Sequence, residues 1–359
     1  MRIIQVLTTM AFGDAVGNDT MALHEIIKKA GYETGIYAEN IDSRLPKGIV
    51  QYVKKIPKLN RTDIIIYHLS TGTPLNQEIK KYTCRKVLIY HNITPPFFFE
   101  KYSPGAFQLC KIGLEQTQNL SDCFDYVFAD SEFNAENLRE MGYKCPIEVL
   151  PILIAFEDYK KRPNDKVIEK YKDGCTNILF VGRIAPNKKQ EDIIRTFYYY
   201  QKFYNPKSRL FLIGSYQGME PYYNRLMTYI ERLGVKNIII PGHSKFDEIL
   251  AYYHVADTFI CLSEHEGFCV PLVEAMYFGV PIIAFDACAI RGTLGGSGLL
   301  LKNKNAIEIA GLMDKLDKDT ALKCKVIRNE KERLQEFDHE KIERMFWSYM
   351  SELENERGN

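Results

Sequence analysis

Two α/β domains in tandem, each a parallel sheet covered by helices, are what this sequence predicts. Three observations carry that expectation. Short β-branched runs alternate with longer amphipathic ones along the 359 residues. The alternation lapses once, near the middle, and then restarts. The length also exceeds what one core of roughly 150–200 residues fills. Strands separated by helices do not pair as hairpins; they pair in parallel and are buried on both faces.

The first half supplies six candidate strands, RIIQVLT (2–8), TGIYA (34–38), DIIIYH (63–68), KVLIYH (86–91), DYVFAD (125–130) and IEVLP (147–151). Helical patterns lie between them. SEFNAENLREMG opens on a serine cap at Ser131 and stops at Gly142. The stretch FEDYKKRPNDKVIEKYKDGC (156–175) is charged, contains Pro163 and Gly174, and reads as a linker followed by a surface helix. The strands then resume as NILFVG (177–182), RLFLIG (209–214), NIIIPG (237–242), DTFICLS (257–263) and PIIAF (281–285). The expected division is 1–156, 157–337 and a closing helix over 338–359, which carries the only tryptophan, Trp347, and is expected to pack back towards the first domain. Tandem sheets of this kind predict a cleft, with ligands at the carboxyl ends of the strands.

Composition narrows the partners. With 47 basic and 46 acidic residues the formal net charge is +1, which gives no general case for nucleic acid. None of the nine cysteines is spaced as C-x-x-C, so a zinc site or redox pair is not expected, and reduced core thiols suit a cytosolic chain. The opening MRIIQVLTTMAFGDAVGND reads as a first strand rather than a signal peptide. No stretch approaches the ~20 apolar residues of a membrane helix. The expected location is cytoplasmic, extending at most to the inner face of the membrane. There the acid-free basic stretch RLPKGIVQYVKKIPKLNR (44–61) could meet anionic lipid or a lipid phosphate. PPFFFEKYSPGAF (95–107) places three phenylalanines in a loop, as a wall for an apolar acceptor or as packing.

The chemistry concentrates in SEHEGFCVPLVEAMYFGVP (263–281), where Glu266 and Glu274 bracket an apolar stretch. Inward-facing carboxylates are costly unless paired or hydrogen-bonded. Pro271 suits the first turn of a helix running to about Phe278, where a glycine stops it. The N–H groups of Gly267, Phe268, Cys269 and Val270 then lie at a helix N-terminus, which favours anions. Beside an anion, two carboxylates suit hydroxyl recognition, since a vicinal diol offers two donors in fork geometry. FVGRIAPNKKQEDII (180–194) puts Arg183 and Lys188 in a strand-to-helix turn, where two cations can clamp a diphosphate and stabilise charge as it departs.

The E-x7-E of EHEGFCVPLVE, the VGRIAPNK turn and the tandem plan resemble the retaining GT-B glycosyltransferases of family 4 over nearly the whole chain. YHNITPP (90–96), ADSEFNAENLREMGY (129–143), FGDAVGND (12–19) and RGTLGGSGLLL (291–301) are similar to further segments of that family. The resemblance implies a GT-B fold, two Rossmann-like domains facing each other across a cleft. It also implies transfer of a hexose from a nucleotide-diphosphate sugar, with a lean towards GDP-mannose, to a saccharide or lipid-linked acceptor in bacterial surface polysaccharide synthesis. It assigns the donor phosphates to Arg183 and Lys188, the ribose hydroxyls to Glu274, and the donor sugar to Glu266 with the amides of Gly267, Phe268 and Cys269. His91 would contact the transferred sugar, and Gly13 would let the first loop approach the β-phosphate. Gly214, Ser215, Tyr216, Gly242, His243 and Ser244 would line the base pocket. Asp14 and Asn92 are candidates for the acceptor, although Asp14 also reads as a helix cap.

Two positions depart from the family pattern. Gly292 stands where an acidic residue is common, and Lys189 follows Lys188 where a glycine is common, leaving open which lysine reaches the phosphate. No metal or other cofactor is expected, because two cations already do a metal's work. The alternatives are a GT-B sugar-nucleotide epimerase and a non-catalytic sugar-nucleotide-binding protein.

Overall fold

Two parallel sheets organise the chain, as the alternating pattern requires. The computed structural model describes residues 1–11 and 13–355; Phe12, which opens the 12–19 loop stretch, lies outside them. The chain divides into two compact units. Unit 1 comprises Met1–Pro96, Gly105–Ala155 and Phe337–Asn359, and unit 2 comprises Phe97–Pro104 and Phe156–Glu336.

Unit 1 holds β1 (Arg2–Met10), β2 (Glu33–Ile41), β3 (Val50–Tyr52), β4 (Ile64–Leu69), β5 (Arg85–Tyr90), β6 (Tyr126–Ala129) and β7 (Ile147–Val149). They pair in the order β3-β2-β1-β4-β5-β6-β7, all parallel. The central strands are largely apolar because helices cover both faces. β4 is buried along its whole length, and Ile64, Ile66, Val87 and Ile89 share a core with Ile342, Phe346 and Met350 of the last helix, His339–Asn355. Trp347 stacks on Tyr32 at 5.5 Å.

Unit 2 holds β8 (Thr176–Val181), β9 (Ser208–Ile213), β10 (Ile238–Ile239), β11 (Thr258–Cys261), β12 (Ile282–Phe285) and β13 (Leu299–Leu301), in the order β10-β9-β8-β11-β12-β13. In each sheet the order reverses beside its first strand, between β1 and β4 and between β8 and β11. Such a reversal opens a crevice at the carboxyl ends.

Several expectations need correction. β3 and β13 were not anticipated: each has three residues, too few to show an alternation. β10 is only two residues long, although NIIIPG reads as a full strand. The stretch 156–175 is more than a linker, since Phe156–Lys160 forms a 3-10 turn that carries Tyr159 inward. Of the three phenylalanines at 97–99, Phe97 is 64% exposed and Phe99 is buried.

Candidate functional site

In unit 2 the crevice is built by two turns that follow neighbouring strands. After β8 the chain passes Gly182, whose carbonyl lies so close to Gly214 that a Cβ there would sit 2.0 Å away. Glycine at 214 is therefore a steric requirement of the two strand ends. The next residues are anchored by Ile184 N–H donating to the Ser215 carbonyl at 3.0 Å, with Ile184 and Ala185 buried. Arg183, between the glycine and this anchor, is left exposed, and its Nη2 donates to the Gln217 carbonyl at 3.0 Å. Pro186–Lys188 makes one 3-10 turn, Lys189 takes a left-handed conformation (φ 53°), and the helix Gln190–Phe203 begins.

The turn after β11 lies alongside. Glu264 N–H donates to the Asn187 carbonyl at 2.8 Å, and Asn187 Nδ2 donates to the His265 carbonyl at 3.1 Å. This lacing brings Lys188 Nζ to 2.5 Å from Glu266 Oε2, with side chains 20% and 8% exposed. Burial opposes the ammonium, yet the Glu266 carboxylate and the thiols beyond it raise the lysine's pKa above its ordinary value. Lys189 goes elsewhere, pairing with Glu264 at 3.0 Å, as does Lys304. Of the two lysines, Lys188 is the one paired with Glu266. Its neighbour His265 is pushed down to about 4, chiefly by burial, and is neutral.

Glu266 leads through Gly267 and Phe268 to Cys269, a non-glycine residue at φ 75° that caps the helix Val270–Phe278. That backbone is costly for a residue with a Cβ, and such conformations gather at functional sites. The turn is pinned from the 291–301 segment: Thr293 Oγ1 donates to the Phe268 carbonyl at 2.5 Å. Gly292 itself is exposed, and its carbonyl accepts from Arg333 at 2.8 Å. Glu274 lies on the helix's second turn, where Tyr159 and Tyr253 donate to its two oxygens. Neither tyrosine was singled out from the sequence, because residues 115 and 21 positions away leave no local spacing to read.

Of the base-pocket candidates, Tyr216 and Gly242 meet. Tyr216 stacks on Tyr223 at 4.1 Å, and its ring lies against Gly242 (φ 80°), where a Cβ would come within 3.3 Å. Ser244 is buried and His243 exposed.

In unit 1 the corresponding positions form a closed cluster. Gly13 has φ 77°. Asp14 is the N-cap of the helix Ala15–Lys29, accepting from Gly17 N–H at 2.7 Å. Both ring nitrogens of His91 are engaged, Nδ1 with Asp130 at 2.9 Å and Nε2 with His68 Nδ1 at 2.9 Å. The direction of these bonds follows from the far end. Gln5 Nε2 donates to the Thr20 carbonyl, so Gln5 Oε1 accepts from His68 Nε2–H. His68 Nδ1 is then an acceptor and His91 Nε2–H donates to it; with Asp130 ionised, His91 donates from both nitrogens as an imidazolium. The electrostatics agree: burial and His91 drive His68 well below its ordinary value, whereas the charges of Asp130, Asp19 and Asp14 outweigh burial and raise His91. Asn92 adopts φ 70° and donates to Asn134 at 2.8 Å, while its own Oδ1 is buried without a partner among the described residues. The ring nitrogens of His91 and the amide nitrogen of Asn92 thus face protein groups. A histidine inside the apolar run IIIYHL was the available signal for His68.

Among the described residues two clusters have metal-ligating atoms within 4.8 Å of one another: Asp19, His68 and His91, and Cys261, Glu266 and Cys269. In each a protein cation already stands beside the acid, His91 in the first and Lys188 in the second. All nine cysteines are free thiols.

The family profile described as "Glycosyl transferases group 1" matches residues 161–333. Alpha-monoglucosyldiacylglycerol synthase of Acholeplasma laidlawii is 30% identical over 284 residues, 73% of this chain and 68% of that protein. The serotype-specific mannosyltransferase WbdA of Escherichia coli is 23% identical over 205 residues, 55% of this chain but only 25% of WbdA. Among solved structures, HepE of Anabaena in complex with UDP and glucose superimposes with a TM-score of 0.75 at 17% identity, covering 98% of this chain and all of HepE (100%). The fold is GT-B.

Proposed function

This chain belongs to the group 1 glycosyltransferases, family 4, whose members retain the anomeric configuration of the donor, and from that premise we propose how it works. It transfers a hexose from a nucleoside diphosphate sugar, bound by unit 2, to a saccharide acceptor. The observation that carries this reading is the crevice beside β8 and β11, where Arg183 and Lys188 stand with two carboxylates of different partnership.

A donor diphosphate beside Arg183 offers Lys188 a second anion. The ammonium then bridges phosphate and Glu266, leaving the carboxylate to accept from hydroxyls of the sugar. As the sugar–phosphate bond breaks, charge grows on the departing oxygen, where fixed cations act most strongly. Glu274 takes the ribose hydroxyls, and Tyr216 beside Gly242 lines the base pocket. No enzyme nucleophile is assigned: the departing phosphate oxygen takes the acceptor's proton, and the protein supplies position and charge.

The mannosyltransferase relatives support a mannosyl donor such as GDP-mannose and a place in surface polysaccharide synthesis. The diacylglycerol-directed relative supports a lipid acceptor as the second reading. In that case the basic stretch 44–61 would face an anionic membrane surface. No helix among the described residues is long and apolar enough to cross a membrane.

The test is incubation with GDP-mannose, UDP-glucose and other nucleotide sugars, with saccharide and diacylglycerol acceptors, reading the product's anomeric configuration by NMR. A retained-configuration glycoside is expected. Epimerised donor without acceptor, or donor bound but neither transferred nor hydrolysed, would overturn the reading.

A further inference from the structure

We propose that Tyr159 and Tyr253 are positioning residues of the donor site, which hold the Glu274 carboxyl group turned so that it discriminates a ribose from a 2′-deoxyribose. The inference rests on the assignment of Glu274 to the donor's ribose.

Glu274 is the unusual carboxylate of the pair. Glu266 has an ammonium at 2.5 Å, whereas Glu274 has no cationic partner among the described residues. Its surroundings are aromatic, and burial raises its pKa, favouring the neutral acid. What opposes that is a pair of phenols. Tyr159 Oη donates to Oε1 at 2.9 Å and Tyr253 Oη donates to Oε2 at 2.7 Å, one to each oxygen. Burial and the Glu274 charge drive both phenols far above their ordinary range. They therefore remain protonated donors wherever the enzyme would work.

The choice of phenol matters for what is left over. A carboxylate has about four acceptor positions on its two oxygens. A bidentate guanidinium would bond both oxygens and cancel the charge. Two phenols fill one position on each oxygen and leave the charge in place. One acceptor position per oxygen remains, the fork that two adjacent hydroxyls complete.

The clamp is also fixed to the helix it serves. Tyr159 comes from the 3-10 turn Phe156–Lys160 and packs edge-on against Tyr277 at 5.3 Å. Tyr253 comes from the helix Phe246–Val255 and stacks on Phe278 at 5.0 Å. Both ring partners lie on Glu274's own helix, Val270–Phe278. The hydroxyls are thereby placed relative to the carboxylate by ring packing, which a Tyr→Phe change keeps while removing only the hydrogen bond.

The experiment compares wild type, Tyr159→Phe, Tyr253→Phe, the double variant and Glu274→Gln. Dissociation constants are measured for GDP and UDP and for their 2′-deoxy counterparts, alongside donor KM and kcat. Each Phe variant should weaken binding of the ribonucleotide that wild type prefers by about 2–10-fold, the range expected for one hydrogen bond. Its 2′-deoxy counterpart, which keeps only the 3′-hydroxyl of the pair, should lose less, so the ribose preference shrinks, and donor KM should rise with kcat largely kept. The double variant should approach Glu274→Gln. Folded Phe variants that keep the full ribose preference, or lose ribo and deoxy affinity equally, would overturn the clamp. A Glu274→Gln protein with an unchanged ribose preference would instead overturn the assignment of Glu274, and the clamp with it.

Discussion

The two sheets reverse their strand order in the same way, yet they treat the polar groups at the reversal oppositely. In unit 1 the helix Ala15–Lys29, the middle of β1 and the ends of β4, β5 and β6 carry a chain of directed bonds, Thr20–Gln5–His68–His91–Asp130, in which each group answers its neighbour. In unit 2 the partners are fewer and less matched: Arg183 is exposed and donates to a backbone carbonyl, Glu266 is held by one lysine, and Glu274 by two neutral phenols. A closed network rigidifies, while groups with unfilled positions bind. The difference teaches that topology marks where a ligand can sit, and partnership decides which of two equivalent places is already occupied by the protein itself.

That contrast can be broken by substitution, and the largest effect belongs in unit 2. Arg183→Ala, at an exposed side chain, should lower kcat/KM at least 100-fold, the scale of a lost charge-stabilising donor, with thermal unfolding unchanged in the absence of ligand. Near-normal transfer would remove the phosphate assignment. Next, Lys188→Met should destabilise by about 3 kcal/mol, because it strands a buried carboxylate. Adding Glu266→Gln should recover more than half of that loss in denaturant titrations. If the double variant is no more stable than the single one, the pair is not the unit described here.

Unit 1 offers the smaller, pH-dependent counterpart. The folded pKa of His91 is raised by its carboxylate neighbours against the opposing effect of burial. Its contribution is therefore fully present below the unfolded value of about 6.5 and lost as pH rises through the folded value. Asp130→Asn should flatten that part of the stability profile and lower stability at pH 6 by about 2 kcal/mol. An identical slope in wild type and variant would deny the imidazolium. The smallest effect is at Asp14: as a cap, Asp14→Ala should cost about 1 kcal/mol and Asp14→Asn almost nothing. Loss of transfer with Asp14→Asn in a fully stable protein would give it a second role.

What was legible in the sequence follows the same division. The unit 2 site is carried largely by two short segments, 182–188 and 263–274, so spacing alone exposes it: a strand end, a turn and a helix start keep Arg183, Lys188, Glu266 and Glu274 in register. The unit 1 network draws Gln5, Thr20, His68, His91 and Asp130 from five separate places along the chain, and no periodicity records that they meet. Tyr159 and Tyr253 escaped notice for the same reason, compounded by the charged stretch around Tyr159, which looks solvated when read residue by residue. The three-residue strands β3 and β13 fall below the length at which a pattern exists, whereas the buried cores of β1, β4, β5, β8 and β9 announce themselves as apolar runs.

The central claim, that unit 2 holds a nucleoside diphosphate through the Arg183 turn, is tested most directly by thermal unfolding of wild type and Arg183→Ala with UDP, GDP, ADP and dTDP. Ligand at ~100 times its dissociation constant stabilises by about 2.7 kcal/mol, a clear rise in melting temperature. The account predicts that rise for wild type with one nucleotide above the others, and its loss in Arg183→Ala. No rise with any nucleotide, or an equal rise in the variant, would contradict it.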